Sequence, residues 1–475
     1  MAAPTAASTS GPGHASVARS TSRTGVLARA WAPTLVATAA CIALLFVWQA
    51  AFFREHHPVI DHVAYREQAE QLLDGHLSMP LDVDAPTWAV RFTAVTDNGR
   101  VFKYLPGTAA IGAASIGLTG DVGLALASSL ALLIVATSGV AARLGWSPMR
   151  RGVGAFLVGA SPVVLSNDTV LLSYIPALAL MTAALWLVLL ATGTGDETID
   201  RVAAGPDAAD RHHGRPALML LAAAGLVLGL ALLVRQIEVV AWIAVLAGWC
   251  LLRPGVDGRT RVLRTGTLLL ATLPGVALVL AVNRHVTGSA FEFPFTLVSP
   301  DDGMGWGLRR VLPTDALEHF GLVDGLRTTP RAAFDLVMWT LAGPALAVGV
   351  VITLWVRRRS PVRWLLAALG GVIPLAFLFH WANAHAVRGG FYMSVGPFYY
   401  LACVPPLVLL GVEGLARLPR RPLVAGLVVV LALQGLFLAD HLRAPWDYGR
   451  NRPAPASAAT ASPAPPGVAT APVGR

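Results

Sequence analysis

The sequence predicts an all-α polytopic membrane protein, and three observations carry that reading. Hydrophobic residues make up 55% of the 475 and charged residues only 13%, against roughly 25% charged in a soluble globular domain. Mean hydropathy is +0.62, concentrated in runs of about 17–25 residues, the length that crosses a bilayer as a helix. The arginines fall in short loops between those runs. That pattern orients a membrane protein, so the net charge of +9 and the pI of 10.2 do not point to nucleic acid.

Taken in order, residues 1–33 read as a disordered cytoplasmic tail rich in Ala, Ser, Thr and Gly. Arg19, Arg23 and Arg29 precede an apolar run too long for a cleaved signal peptide, so an uncleaved anchor is expected. Spans are expected at about 34–53, 121–142, 152–167, 170–191, 216–234, 237–252, 265–283, 333–356, 363–380, 396–412 and 422–439. The run 106–118 is too short to span and opens at Pro106-Gly107, which suits a re-entrant or surface helix. The run 216–252 is too long for one span and divides at Arg235–Glu238. The tail 441–475 is Pro/Ala-rich and expected to be disordered, and the loop 193–215 reads as a spacer.

Charge sets the threading. With the N-terminus inside, cytoplasmic segments collect more than half of the 36 basic residues, among them Arg143, Arg150, Arg151, Arg253, Arg357, Arg358 and Arg359. Asp61, Asp82, Asp97, Glu292, Asp301 and Asp302 then lie outside. The positive-inside rule thus gives about 11 transmembrane helices, N-in and C-out, within a domain spanning 34–440. The loops at about 54–120 and 284–332 are external, the first large and carrying surface helices, and so is the short segment His380–Gly390. Cys41, Cys250 and Cys403 sit in apolar runs without metal-ligand spacing.

A polar substrate has to be handled in those external loops. Asp61 and Tyr65 are four apart and share one helix face, with Ala69, Leu72 and His76 continuing the stripe of an amphipathic surface helix. Asp61 fits either an N-cap or a reactive carboxylate. His56, His57, Asp61 and His62 resemble metal ligands in type, but adjacent side chains diverge. Lys103, the only lysine in the chain, and Tyr104 suit either an interfacial anchor or a cation site. Gly303, Gly305 and Gly307 beside Arg309 and Arg310 fit an anion cradle or an ordinary glycine-rich loop. Arg235 and Glu238 are spaced to pair across one helical turn, and Gly225-x-x-x-Gly229 reads as helix packing. Nucleotide-binding loops, HExxH and GxSxG are absent.

Several of these residues together resemble bacterial membrane glycosyltransferases of the GT-C superfamily, related to dolichyl-phosphate-mannose protein mannosyltransferases. The carriers are Asp61 after the first span, Tyr65, Ala69, Leu72, Gly75 and Leu77, then Lys103-Tyr104-Leu105-Pro106-Gly107. Asn283–Phe295 with the following MGWGLRR resembles the family's second external loop, and Gly396–Leu410 its late helix. Two departures stand out: His62 replaces a frequent second acid, and Leu105 replaces a proline. The resemblance implies transfer of a sugar from a polyprenyl-phosphate donor to a glycan, lipid or protein acceptor at the extracytoplasmic face of the cell membrane. It implies Asp61 as the catalytic carboxylate, with a divalent metal there in some members. Tyr65, Lys103, Tyr104, Arg309, Arg310 and Arg388 are the candidate substrate-binding residues, and the four cations among them suit a leaving phosphate. The alternative is a transporter or flippase of lipid-linked sugars, which usually shows inverted repeats, and none is evident here.

Overall fold

The computed structural model describes residues 23–54, 57, 59–81, 89–194, 215–253, 255–311 and 315–450. The expectations for residues 1–22, 195–214 and 451–475, and for His56, lie outside them. Both termini of the membrane domain extend further than expected. The first helix starts at Arg23, where Leu, Ala and Arg favour helix, and runs through Pro33 to Phe52. The last runs from Arg420 to Arg450, past 440.

Helix forms in all eleven expected spans, but not all of it is long. Among the described residues, seven helices are apolar and long enough to cross a membrane, or eight if one bent pair counts as a span. The other segments are short or broken. Ile237–Leu252 and Pro361–Phe377 hold 16 and 17 residues, about 24–26 Å of helix against a hydrocarbon core of about 30 Å. The expected span 152–167 is interrupted at Ala160–Pro162, between helices Pro148–Gly159 and Pro162–Asn167. The short run after Pro106 forms helix Gly107–Thr119, ended by a left-handed Gly120. The run 216–252 divides where charge suggested, between Arg215–Leu232 and Ile237–Leu252.

Missing side chains let helices touch. A Cβ on Gly225 would stand 2.3 Å from the Leu268 carbonyl oxygen, and one on Gly275 would stand 2.2 Å from that of Gly229. Helices Arg215–Leu232 and Gly258–Thr287 therefore cross backbone to backbone, the small-residue contact typical of membranes. Gly349, Gly411 and Gly414 do the same between Gly343–Val356 and Val404–Leu415.

The expected span 333–356 is the clearest departure. It is two helices, Leu322–Trp339 and Gly343–Val356, bent by 109° at their junction. Thr340 is extended and Ala342 takes φ 58°, which breaks the ladder and frees backbone polar groups. Gln434, on the last helix, satisfies them. Its amide donates to the carbonyls of Met338 at 2.7 Å and Thr340 at 2.6 Å and accepts from the Ala342 N–H at 3.0 Å. Gln434 is 2% exposed, while Val428, Leu433 and Leu436 on the same helix are open to the surroundings. Gln434→Leu should therefore lower stability by about 2–4 kcal/mol, because the Met338 carbonyl and the Ala342 N–H lose their partner while the Thr340 carbonyl keeps the Gly343 N–H. Thermal unfolding in detergent would check it; an unchanged midpoint would show that the junction finds other partners.

Candidate functional site

The site is built on the loop after the first helix. Helix Asp61–Leu73 begins behind Ile60, which holds the cap position without any side-chain bond. Asp61 is thus the first helical residue and does not serve as the N-cap, one of its two readings from sequence. Ala64, Tyr65, Gln68 and Ala69 are buried, and Ala69 packs on Ala109 and Ala113 of the next helix. His76 lies past the helix end and is exposed, so the stripe stops before it.

Between these helices runs a small antiparallel sheet of β1 (Ser78–Met79), β2 (Thr93–Thr96) and β3 (Gly99–Phe102), in the order β1-β3-β2. β3 delivers Lys103 and Tyr104. The Lys103 N–H donates to Phe92 O at 2.7 Å, and Gln68 donates to the Tyr104 carbonyl at 3.0 Å. The Tyr104 ring stacks on Tyr65 with centroids 4.5 Å apart and planes at 18°. Its hydroxyl donates to Asp61 Oδ1. Burial pushes both phenols above their ordinary range, so Tyr104 keeps its proton and remains a donor to Asp61.

The loop then meets the break between Arg215–Leu232 and Ile237–Leu252. The Gly107 N–H donates to Leu233 O at 3.0 Å, and any Cβ at 107 would stand 2.5 Å from the Leu233 backbone. Only glycine permits that approach. It brings Arg235 to the same space as Lys103. Arg235 donates to Glu238 at 2.7 Å and to Ser173 Oγ at 3.2 Å, and its guanidinium lies 4.1 Å over the Tyr174 ring. In sequence this pair could be read as no more than a tidy turn.

Asp61, Tyr65, Lys103, Tyr104 and Arg235 line one cavity of about 580 Å³, together with Asp302 and His380. Its remaining wall is largely aromatic, including Phe92, Phe295, Phe398 and Tyr399. Lys103 is no exposed anchor: it is 3% exposed, 3.6 Å from Asp302 Oδ2, with Phe295 beneath the ammonium at 4.4 Å. Burial raises the Asp302 carboxyl to about 6, against the opposing pull of Lys103. Sequence reasoning missed Asp302. The signal available was a lone lysine, which needs a carboxylate if buried, and the acidic pair opening DDGMGWG.

Arg309, Arg310 and Arg388 do not line the cavity. Arg309 lies on β4 (Gly307–Arg309), which pairs with β5 (Glu318–Phe320), and donates to Met304 O at 2.9 Å. Arg310 donates to Asp301 at 2.7 Å. Arg388 is held by Glu318 and Asp324 and lies over Trp381. Gly303 and Met304 line the cavity, and Met304 forms an antiparallel backbone bridge with His380.

Asp61 does not gather a metal-ligand set. His57 accepts from the Val59 N–H at 3.1 Å and donates to Ser166 O at 3.0 Å, while His62 Nδ1 lies 2.8 Å from Val59 O. Burial lowers His57 to about 4, in keeping with a neutral ring committed to the backbone. Among the described residues no three His, Cys, Asp or Glu side chains cluster as a metal site.

No protein-family model matches the sequence, and no curated protein does. Among solved structures the likeness is one of fold, and the number of long apolar helices marks the chain as an integral multi-pass membrane protein. It is similar to ArnT from Cupriavidus metallidurans bound to undecaprenyl phosphate, at 18% identity and a TM-score of 0.51 over 87% of this chain and 64% of that one. The apo state of that protein gives 18%, 0.51, 86% and 63%. The oligosaccharyltransferase of Archaeoglobus fulgidus in its apo form is more distant, at 13% identity and TM-score 0.45, covering 88% of this chain and 55% of that one. The chain thus spans under two thirds of the length of these proteins, and at such identities the likeness is one of fold.

Gly107→Ala should separate the two halves of the cavity. Overpacking of this kind costs about 1–3 kcal/mol, and a crosslink between cysteines placed at 105 and 233 should form less readily in the variant. Equal crosslinking and stability would mean that the Leu233 turn yields at no cost.

Proposed function

We propose that this protein is a glycosyltransferase that moves a sugar from a polyprenyl-phosphate donor to an acceptor at the extracytoplasmic face of the cell membrane. The observation that carries the reading is the single cavity in which a carboxylate, Asp61, faces buried cations, Lys103 and Arg235. Fold likeness to ArnT, solved with undecaprenyl phosphate, supports the donor class. The aromatic walls suit an isoprenoid and a sugar ring.

In this reading Asp61 is the catalytic base. Tyr104 occupies one carboxylate oxygen and orients the group, leaving the other to take the acceptor's hydroxyl proton. The acceptor oxygen bonds to the anomeric carbon as the carbon–oxygen bond to phosphate breaks. The electron pair departs with the phosphate oxygen, whose charge Lys103 and Arg235 offset in a site of low dielectric. Tyr65 sets the Tyr104 ring. Arg309, Arg310 and Arg388 reach substrate only from outside the cavity wall.

Asp61→Asn tests the chemistry. Asn cannot take the proton, so transfer from labelled polyprenyl-phosphate sugars by the purified variant should fall by about 10²–10⁴-fold with the unfolding midpoint near that of the parent. Full transfer by this variant would remove the base and much of the enzyme reading. Sidedness has its own test. Asn98 and Arg358 are exposed, and the native cysteines are buried. Asn98→Cys should react with a membrane-impermeant maleimide in intact cells, and Arg358→Cys only after permeabilisation. The reverse pattern would place the cavity on the cytoplasmic side.

A further inference from the structure

The cavity that Asp61 lines also holds an ion pair that is unfinished on both sides. Lys103 Nζ and Asp302 Oδ2 lie 3.6 Å apart, beyond the roughly 2.7–2.9 Å of a charge-assisted hydrogen bond. The other near neighbours of the ammonium are ring faces, Phe295 at 4.4 Å and Tyr104 at 6.0 Å. On the acid, Oδ1 is buried without any partner. A buried pair is favourable only when further hydrogen bonds complete it. This one has two charges, 3% and 2% exposed, and a cavity in front of both.

We propose that Asp302 is a positioning residue that holds the phosphate's place on Lys103, and that entry of a phosphodiester displaces it as a neutral carboxylic acid carrying one proton from solvent. The inference rests on the reading of Lys103 as a phosphate-binding residue. The charges balance: the phosphodiester brings one negative charge to the ammonium, and the proton removes one from Asp302. Without the proton, two anions would share a dry pocket with one lysine, which raises the acid's affinity for a proton.

The surroundings of Asp302 favour this exchange. Burial already raises its carboxyl to about 6, and Lys103 is the main influence holding it down. Asp61, which lines the same cavity, pushes it up further, and Arg309 on β4 pulls the other way. His380 shares the cavity wall, Tyr399 feels the same charge, and neighbouring Asp301 is engaged by Arg310. Once Lys103 turns to the phosphate, desolvation acts on Asp302 with its chief opponent withdrawn.

The sign of the coupling follows. Above about pH 6 the free protein has Asp302 ionised, so binding must take up a proton, and affinity falls with rising pH toward tenfold per unit. Below that pH the acid is already neutral and binding is flat. The probe is undecaprenyl-phosphoryl-glucose, a phosphodiester whose single charge is constant from pH 5.5 to 8, added to the full-length protein in detergent. Calorimetry at pH 7.5 in buffers of different ionisation enthalpy should report uptake of about one proton per lipid bound. The wild-type Kd should rise by about 50-fold between pH 6 and 8. Asp302→Asn should be flat over that range and should bind at pH 8 as the wild type does at pH 6. Binding without proton uptake, or pH dependence that persists in Asp302→Asn, overturns the proposal. If pH-independent binding is lost in Lys103→Ala, the phosphate reading survives while Asp302 loses its role. A wild-type protein that fails to bind the lipid at any pH sinks the donor reading and this inference together. The calorimetric result needs only the wild type, so a poorly folded variant would not shelter the idea.

Discussion

The arrangement depends on one backbone contact, the hydrogen bond from Gly107 to the carbonyl of Leu233. It joins the end of the first long loop to a helix break more than a hundred residues later. Each side brings a cation it could not otherwise share: Lys103 from β3 and Arg235 from the break. Charged groups so near a bilayer are costly to bury, and the contact lets each be paired at once, Lys103 with Asp302 and Arg235 with Glu238. The glycine is thus required by distance. A methyl group there would keep the two segments apart, and the cavity would lose either its anion-attracting side or its closure.

Much of the fold was legible because apolar run length and arginine placement are strong, additive signals in a membrane protein. The helix at Asp61, the short helix after Pro106 and the division at Arg235–Glu238 all came from local rules of periodicity, length and charge. The count of spans was less legible. The junction at Thr340–Ala342 sits within a continuous apolar run, and its polar groups are met by Gln434, far away in sequence. No window on 333–356 contains that information.

The site divided along the same line. Asp61, Tyr65, Lys103 and Tyr104 are close in sequence or linked by one short sheet, and the structure brings them together. Arg309 and Arg310 beside the glycine-rich loop, and Arg388, carry charge suited to a phosphate, yet each has a backbone or carboxylate partner and none lines the cavity. Asp302 and Arg235 enter it through long-range contacts instead. A positive charge in a sequence says little about where it will be spent; a solitary lysine among hydrophobic neighbours says more, since its environment must supply a counter-charge.

Gln434 also gives the molecule a calendar. Residues 322–356 leave the ribosome well before the helix that carries this amide, so for that interval the bent segment holds unpaired carbonyl and amide groups beside hydrocarbon, where such groups are expensive. The bend can settle only after nearly the whole chain has been made. A nascent chain stopped short of residue 434 would carry every residue that lines the cavity and still present the membrane's quality-control proteases with an open joint. The last helix, little buried along its length, supplies the one amide that closes the bend.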